Sequence, residues 1–320
     1  MTNPEQPDTA SSWERKTLEK LAFAALDEQK ARRRWSIFFR SLGFAYLAVV
    51  LVAVVDWGTG AEHQSRHTAL INLQGVIEAK GEANAENLVA ALNAAYDEKN
   101  VAGVILRINS PGGSPVQAGI INDEIQRLRK KNPEKPLYVV VEDICASGGY
   151  YVAVAADKIF VNKASMVGSI GVLMDGFGFT GAMDKLGVER RLLTAGANKG
   201  FLDPFSHQAP QQKEFAQNLL NEIHKQFIDV VKQGRGTRLK ETPEMFSGLI
   251  WTGTQSVQMG LADEYGSVDS VARDVIQAEK VLDYSVKDNI AERFAKRLSA
   301  SAVSGFWKGV SESAPGARLQ

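Results

Sequence analysis

Cysteine is nearly absent from this chain: Cys145 is the only one in 320 residues. A disulfide framework and a thiolate metal cluster are therefore excluded. Histidine is scarce too, with four residues at 63, 67, 207 and 224 that form no ligand motif. Net charge is missing, because 37 Lys and Arg balance 37 Asp and Glu. No global field therefore draws in nucleic acid. There is no internal repeat and no low-complexity tract, which argues against a repeat architecture. What the chain does have is apolar content, 44% hydrophobic against 23% charged. That is ample core for one large domain or two modest ones.

The first uncommon feature is one long apolar run. Residues 1–34 form a polar arm in which Leu18, Leu21, Ala22, Ala25 and Leu26 fall at helical spacing. Lys30, Arg32, Arg33 and Arg34 then cluster before Trp35, and Ser41 to Val55 is almost wholly apolar. The stretch from Trp35 to Trp57 supplies the ~20 residues a membrane span needs. Arg40 lies near its basic end, where it can snorkel to the headgroups. Trp35 and Trp57 stand where interfacial anchors are expected. The expectation is one transmembrane helix over 35–57, with the N-terminus in the cytoplasm and the rest outside. A cleaved signal peptide and a buried core helix are the alternatives. The long polar arm before the run and the lack of an A-x-A-like site after it disfavour the first.

Residues 58–67 read as a tether. Strand and helix signals then alternate. Thr68 to Leu73 is a strand, Asn84 to Lys99 a helix, Val101 to Ile108 a strand, Val116 to Lys130 a helix and Leu137 to Val141 a strand. Lys158 to Val161 is a further strand, and the glycine-bearing run Gly168 to Leu173 reads as another. Thr180 to Leu186 and Gln211 to Lys232 are helices, with Val188 to Thr194 extended and a turn over Ala195 to Gly200 between them. Ser267 to Leu282 and Asn289 to Leu298 are read as two more helices. The alternation predicts an α/β fold with a mostly parallel sheet, the globular domain running over 68–284 and a tail over 285–320.

The chemistry concentrates at Asp143-Ile-Cys-Ala-Ser147-Gly148-Gly149-Tyr150-Tyr151. A serine between a strand end and a helix start can present a nucleophile, with the helix N–H groups aimed at the same spot. Its base is the open question. His63 and His67 lie in the tether, His224 reads as a surface residue beside Lys225, and nothing places His207. A lysine base must have its pKa brought from about 10.4 toward about 7–8, which burial among apolar groups can do. Lys199, in Ala195-Gly-Ala-Asn-Lys-Gly-Phe-Leu202, has the small, uncharged neighbours this needs. A solvated turn lysine remains the plainer alternative. Gly148 and the Gly112-Gly113 pair are candidate oxyanion donors, though a Pro-Gly turn is the commoner use of the latter.

Ile108-Asn-Ser-Pro-Gly-Gly113, Ala146-Ser147-Gly-Gly-Tyr-Tyr151, Gly168-Ser169-Ile-Gly171, Gly196-x-x-Lys199 and Trp251-Thr-Gly253 occur in that order. Together they resemble the signal peptide peptidase SppA family, in its short single-domain bacterial form. The resemblance covers roughly residues 68 to 275. It implies a crotonase-like (Clp protease-like) fold and a Ser/Lys dyad serine protease at the cytoplasmic membrane. It implies that Ser147 is the nucleophile and Lys199 the base, with Ser169 orienting the lysine and Gly113 and Gly148 forming the oxyanion hole. It also implies a homo-oligomer in which one copy's lysine completes the neighbour's serine.

On this reading the substrates are remnant signal peptides, no metal or organic cofactor is needed, and Val167, Ile170, Val172 and Leu173 line a substrate groove. Cys145 is expected to be buried packing rather than a second nucleophile. A crotonase-like acyl-CoA enzyme and a non-catalytic membrane scaffold are the competing functions.

Overall fold

The computed structural model describes residues 32–49 and 65–286, with Trp13, Glu19, Lys20, Phe23 and Lys30 before them. The chain divides into two units, Met1–Ser65 and Arg66–Gln320. In the first, residues 32–49 are helical with every side chain exposed. Trp35 stacks on Phe39 at 5.6 Å and meets Phe38 edge-on at 5.9 Å. No helix among the described residues is long and apolar enough to cross a membrane. The expected span at 35–57 is described only as far as Val49, and its remainder lies outside the described residues.

The second unit is mixed α/β around one sheet. Its strands are β1 (His67–Gln74), β2 (Val101–Ser110), β3 (Leu137–Ala146), β4 (Lys158–Val161), β5 (Met166–Gly168), β6 (Ile250–Thr252), β7 (Glu264–Tyr265) and β8 (Val281–Asp283). The order is β6-β5-β3-β2-β1-β8, with β4 alongside β3 and β7 beyond β4. Every described pairing is parallel except that of β5 with β6. Near-continuous apolar runs such as Val101 to Ile108 suit this arrangement, because a mostly parallel sheet is covered on both faces. This architecture fits the expected crotonase-like fold.

One face carries the main core. Helices α1 (Ala85–Asp97), α2 (Pro115–Lys131), α3 (Gly148–Ala153) and α5 (Pro210–Arg235) cover it, while α4 (Thr180–Leu186) buries no side chain. Ile71, Leu73, Leu106, Ile108 and Ile121 are fully buried there, each stabilising by about 1.5–3 kcal/mol. The opposite face is covered at one end by Val271, Ala272 and Ile276 against Ile105, Val140 and Phe160.

Three elements differ from expectation. β3 runs on to Ala146, because its first half pairs with β4 and its last three residues with β5. The polar pair Glu142-Asp143, in a bulged register against β2, disguised that continuation. The helix expected over Ser267 to Leu282 ends at Ile276, where Gln277 turns left-handed at φ 58°. The chain then forms β8, which supplies hydrogen-bond partners to the otherwise open edge of β1. Gly168 to Leu173 is a strand only as far as Gly168. The helix expected at Asn289 to Leu298 lies outside the described residues.

A buried ion pair fastens α5 to the sheet edge. Arg235, 1% exposed, donates from both terminal nitrogens to Asp263 at 2.9 and 2.8 Å and from Nε to Gly260 O. Burial alone would raise the Asp263 carboxyl, but the Arg235 hydrogen bonds and charge, with the Ile159 N–H, outweigh it and hold the pKa below the usual carboxylate range. Asp263→Ala strands the guanidinium and is expected to cost about 3–5 kcal/mol in urea unfolding at pH 7. A depressed carboxylate stabilises above its unfolded pKa and loses that contribution as pH falls through the folded value. The gap between wild type and variant should therefore close below about pH 4.

Candidate active site

The site forms where β3 gives way to α3. Ala146 pairs with Gly168 on one side and Cys145 with Ser110 on the other, so the strand end is held from both flanks. Ser147 follows at φ 51°, ψ −122°. Such backbone costs on the order of 1–3 kcal/mol and persists only when its surroundings over-determine it. Here the Ser147 N–H donates to Gly168 O at 2.9 Å, and its carbonyl accepts from Tyr151 N at 2.9 Å. Behind it the buried Tyr150 hydroxyl donates to Leu261 O at 2.8 Å, and Asn122 Nδ2 donates to Tyr151 O at 2.7 Å. Burial pushes the Tyr150 pKa up, so it stays a neutral donor.

Ser147 faces a cavity of about 610 Å³. Gly113 and Gly148 both line it, at the starts of α2 and α3. A Cβ built on Gly148 would stand 3.2 Å from the Gly113 nitrogen, so the two amides are close neighbours although they arise from different crossovers. Ser169, Val172 and Leu173 also line the cavity, and Ser169 is strained like Ser147, at φ 51°. Val167 and Ile170, expected in the groove, are instead fully buried. Val167 sits in β5 with backbone partners in β3 and β6, which leaves it no edge for a substrate.

The remaining walls come from residues that sequence reasoning did not single out. They include Ala118, Ile223, Gln226 and Phe227, with Ser247 and Gly248. The spacing of Ile223, Gln226 and Phe227 along one face of α5 was the available signal. His224 was also misread as a surface residue. It is half-buried, and its Nε2 lies 3.1 Å from Ile170 O, tying α5 to the segment behind Ser169.

Among the described residues that line the Ser147 cavity there is no Lys, His, Asp or Glu. His67 is fully buried in β1 and meets the Tyr284 hydroxyl at 2.8 Å, and His207 lines a separate cavity of about 500 Å³. His63 lies outside the described residues. Lys199 sits in the turn over Gly196 to Gly200, exposed, and is not among the residues that line the Ser147 cavity. Cys145 is fully buried, which pushes its thiol pKa up and leaves it inert. Among the described residues, no group of three His, Cys, Asp or Glu stands ready to hold a metal ion.

A strained serine beside two neighbouring backbone amides is an arrangement suited to acyl transfer. Residues 129–282 match peptidase family S49. The chain belongs to that family. The S49 match takes in Ser147, Ser169 and Lys199, while Gly113 precedes it.

An Enterococcus faecium protein provisionally named signal peptide peptidase SppA is 30% identical over 224 residues, 68% of this chain and 64% of that one. Protease 4 of Haemophilus influenzae is 31% identical over 235 residues, 71% of this chain and 37% of that one. The Na(+)/H(+) antiporter NhaA of Brucella abortus is 45% identical over 182 residues, 57% of this chain but 25% of that protein. The chain thus spans under two thirds of each of these relatives, and only a quarter of the antiporter.

Proposed function

We propose that this chain is a membrane-anchored serine endopeptidase in which Ser147 is activated by Lys199 of a neighbouring copy. The observation that carries the reading is a strained serine beside two backbone amides, in a cavity with no Lys, His, Asp or Glu among the described residues that line it. A second observation supports a lysine arriving from another copy. The segment that bears Lys199 exposes large apolar side chains, with Phe177 and Leu186 each 78% and Leu193 96% exposed. Such a surface suits burial against a second copy, and the uncharged lining of the Ser147 cavity would desolvate an entering ammonium.

The proposed steps follow from these groups. Neutral Lys199 Nζ takes the Ser147 Oγ proton, and the oxygen bonds to a peptide carbonyl carbon. The Gly113 and Gly148 N–H groups hold the resulting oxyanion. The lysine gives its proton to the leaving amine as the C–N bond breaks. Water gives a proton to the same lysine and bonds to the acyl carbon; the ester C–O bond breaks, and the lysine returns that proton to Ser147 Oγ. Ser169 is the proposed hydrogen-bond partner of the lysine.

The substrates proposed are cleaved signal peptides, which are apolar and extended. Ala118, Val172, Leu173, Ile223 and Phe227 give the cavity apolar walls suited to them. The anchor at 35–57 would hold the domain on the extracytoplasmic face of the bacterial inner membrane, with the basic arm inside. No metal or organic cofactor enters any step.

Incubating a dye-labelled signal peptide with the full chain and with Ser147→Ala tests this, with products read by mass spectrometry in the presence of strong chelator. Cleavage by wild type alone is expected. Equal cleavage by the variant, no cleavage by either, or dependence on metal would each overturn the reading.

A further inference from the structure

We propose that Ser110 is a positioning residue that aims the Gly113 N–H into the oxyanion hole. The proposal rests on the protease reading above. Ser110 ends β2 and is fully buried. Its hydroxyl donates to Gly75 O at 2.6 Å and accepts from Gly112 N at 3.2 Å. One side chain thus ties the turn after β1 to the loop after β2.

The orientation of the next peptide follows from that tie. Gly112 O accepts from Ile77 N at 2.8 Å, and Ser114 N donates to Ile77 O at 2.8 Å. These two bonds make Gly113 the partner of Ile77 in a parallel bridge. In such a bridge the residue flanked by both bonds points its own N–H the other way, and Gly113 faces the Ser147 cavity. Ser110 secures the Gly112 N–H, and Ile77 secures the Gly112 carbonyl. Gly112 and Gly113 carry no Cβ, so side-chain sterics do little to prevent rotation of their shared peptide. Ile77 holds the carbonyl of that shared peptide, and the Ser110 hydroxyl holds the N–H of the peptide before it, so the peptides on both sides of Gly112 are fixed.

Ser110 also packs against Gly149, the residue next to the other donor. Its carbonyl oxygen lies 3.1 Å from where a Cβ on Gly149 would stand, so β2 packs directly beneath the first turn of α3. The residue sits between the two loops whose amides must converge.

The test is steady-state cleavage of the labelled peptide by wild type and Ser110→Ala, together with inhibition by a peptide aldehyde, whose tetrahedral adduct places an oxygen in the hole. The expected result is a kcat loss of about 10- to 100-fold with KM within about twofold, and a matching loss in aldehyde affinity, since an oxyanion donor acts in the transition state. If Ser110→Ala does not fold, Ser110→Cys fills a similar volume with a weaker donor and acceptor and should show the same split. A variant with lower thermal stability but unchanged kcat would overturn the proposal, as would equal losses in kcat and substrate affinity. An inactive wild type sinks the protease reading and this inference together. An active wild type with an unimpaired Ser110→Ala overturns this inference alone.

Discussion

A Ser147→Ala chain and a Lys199→Ala chain, each inactive alone, are expected to regain activity when co-expressed and co-assembled. Each single change should lower kcat by about 10⁴-fold or more, because nucleophile and base act as one unit. In a mixed assembly, a site works when its serine comes from the Lys199→Ala chain and its lysine from the Ser147→Ala chain. Random pairing across a head-to-tail interface gives about a quarter of sites that combination. Recovery near that level in a purified mixed assembly supports the shared dyad. A mixture as inactive as its components would overturn it, and so would full activity of either variant alone. The physical ground is the cavity around Ser147, which lacks an ionised neighbour, while Lys199 stands exposed in a turn outside its lining.

The second large effect is expected at Gly112. Its backbone lies at φ +104°, which side chains other than glycine rarely adopt. A Cβ there would stand 2.7 Å from both Gly148 N and Ser147 Cβ, and 2.8 Å from Ala146 O. None of these atoms is the end of a flexible side chain. Gly112→Ala must therefore move the nucleophile, an oxyanion amide or the strand end that presents them. We expect kcat/KM to fall by about 10²–10³-fold, the scale of losing one oxyanion donor, with strain on the order of 1–3 kcal/mol in thermal unfolding. Gly119→Ala is the control: it lies within α2 with nothing within 4 Å of its added Cβ. It should keep full activity and gain about 0.5–1 kcal/mol from reduced backbone entropy. Near-normal activity in Gly112→Ala would show that the loop has more room than its contacts allow.

The legibility of this protein follows the range of the interactions. Strands β1, β2 and β4 could be read because a covered parallel sheet demands apolar runs, and α1 because Leu88, Leu92, Ala95 and Tyr96 fall on one helical face. β8 could not be read, because Val281 and Leu282 suit a helix equally until the free edge of β1 claims them. Val167 and Ile170 look like groove residues by composition. Only pairing on both sides of β5 puts Val167 inside the sheet. The periodicity of α5 marks an apolar face, yet it cannot say that His224 meets Ile170 O.

The sequence by itself determined where a nucleophile could stand. Strand, serine, glycine pair and helix are neighbours in the chain, so short-range sterics and helix N–H direction specify them together. Tertiary structure alone decided that Gly113, from a different crossover, lies beside Gly148, because that depends on the register of β2 against β3. It also decided that apolar side chains such as Ile223 and Phe227 wall part of the Ser147 cavity, and that no Lys, His, Asp or Glu stands among the described residues lining it. Pairing between segments far apart in sequence sets both features, and no local pattern carries that information.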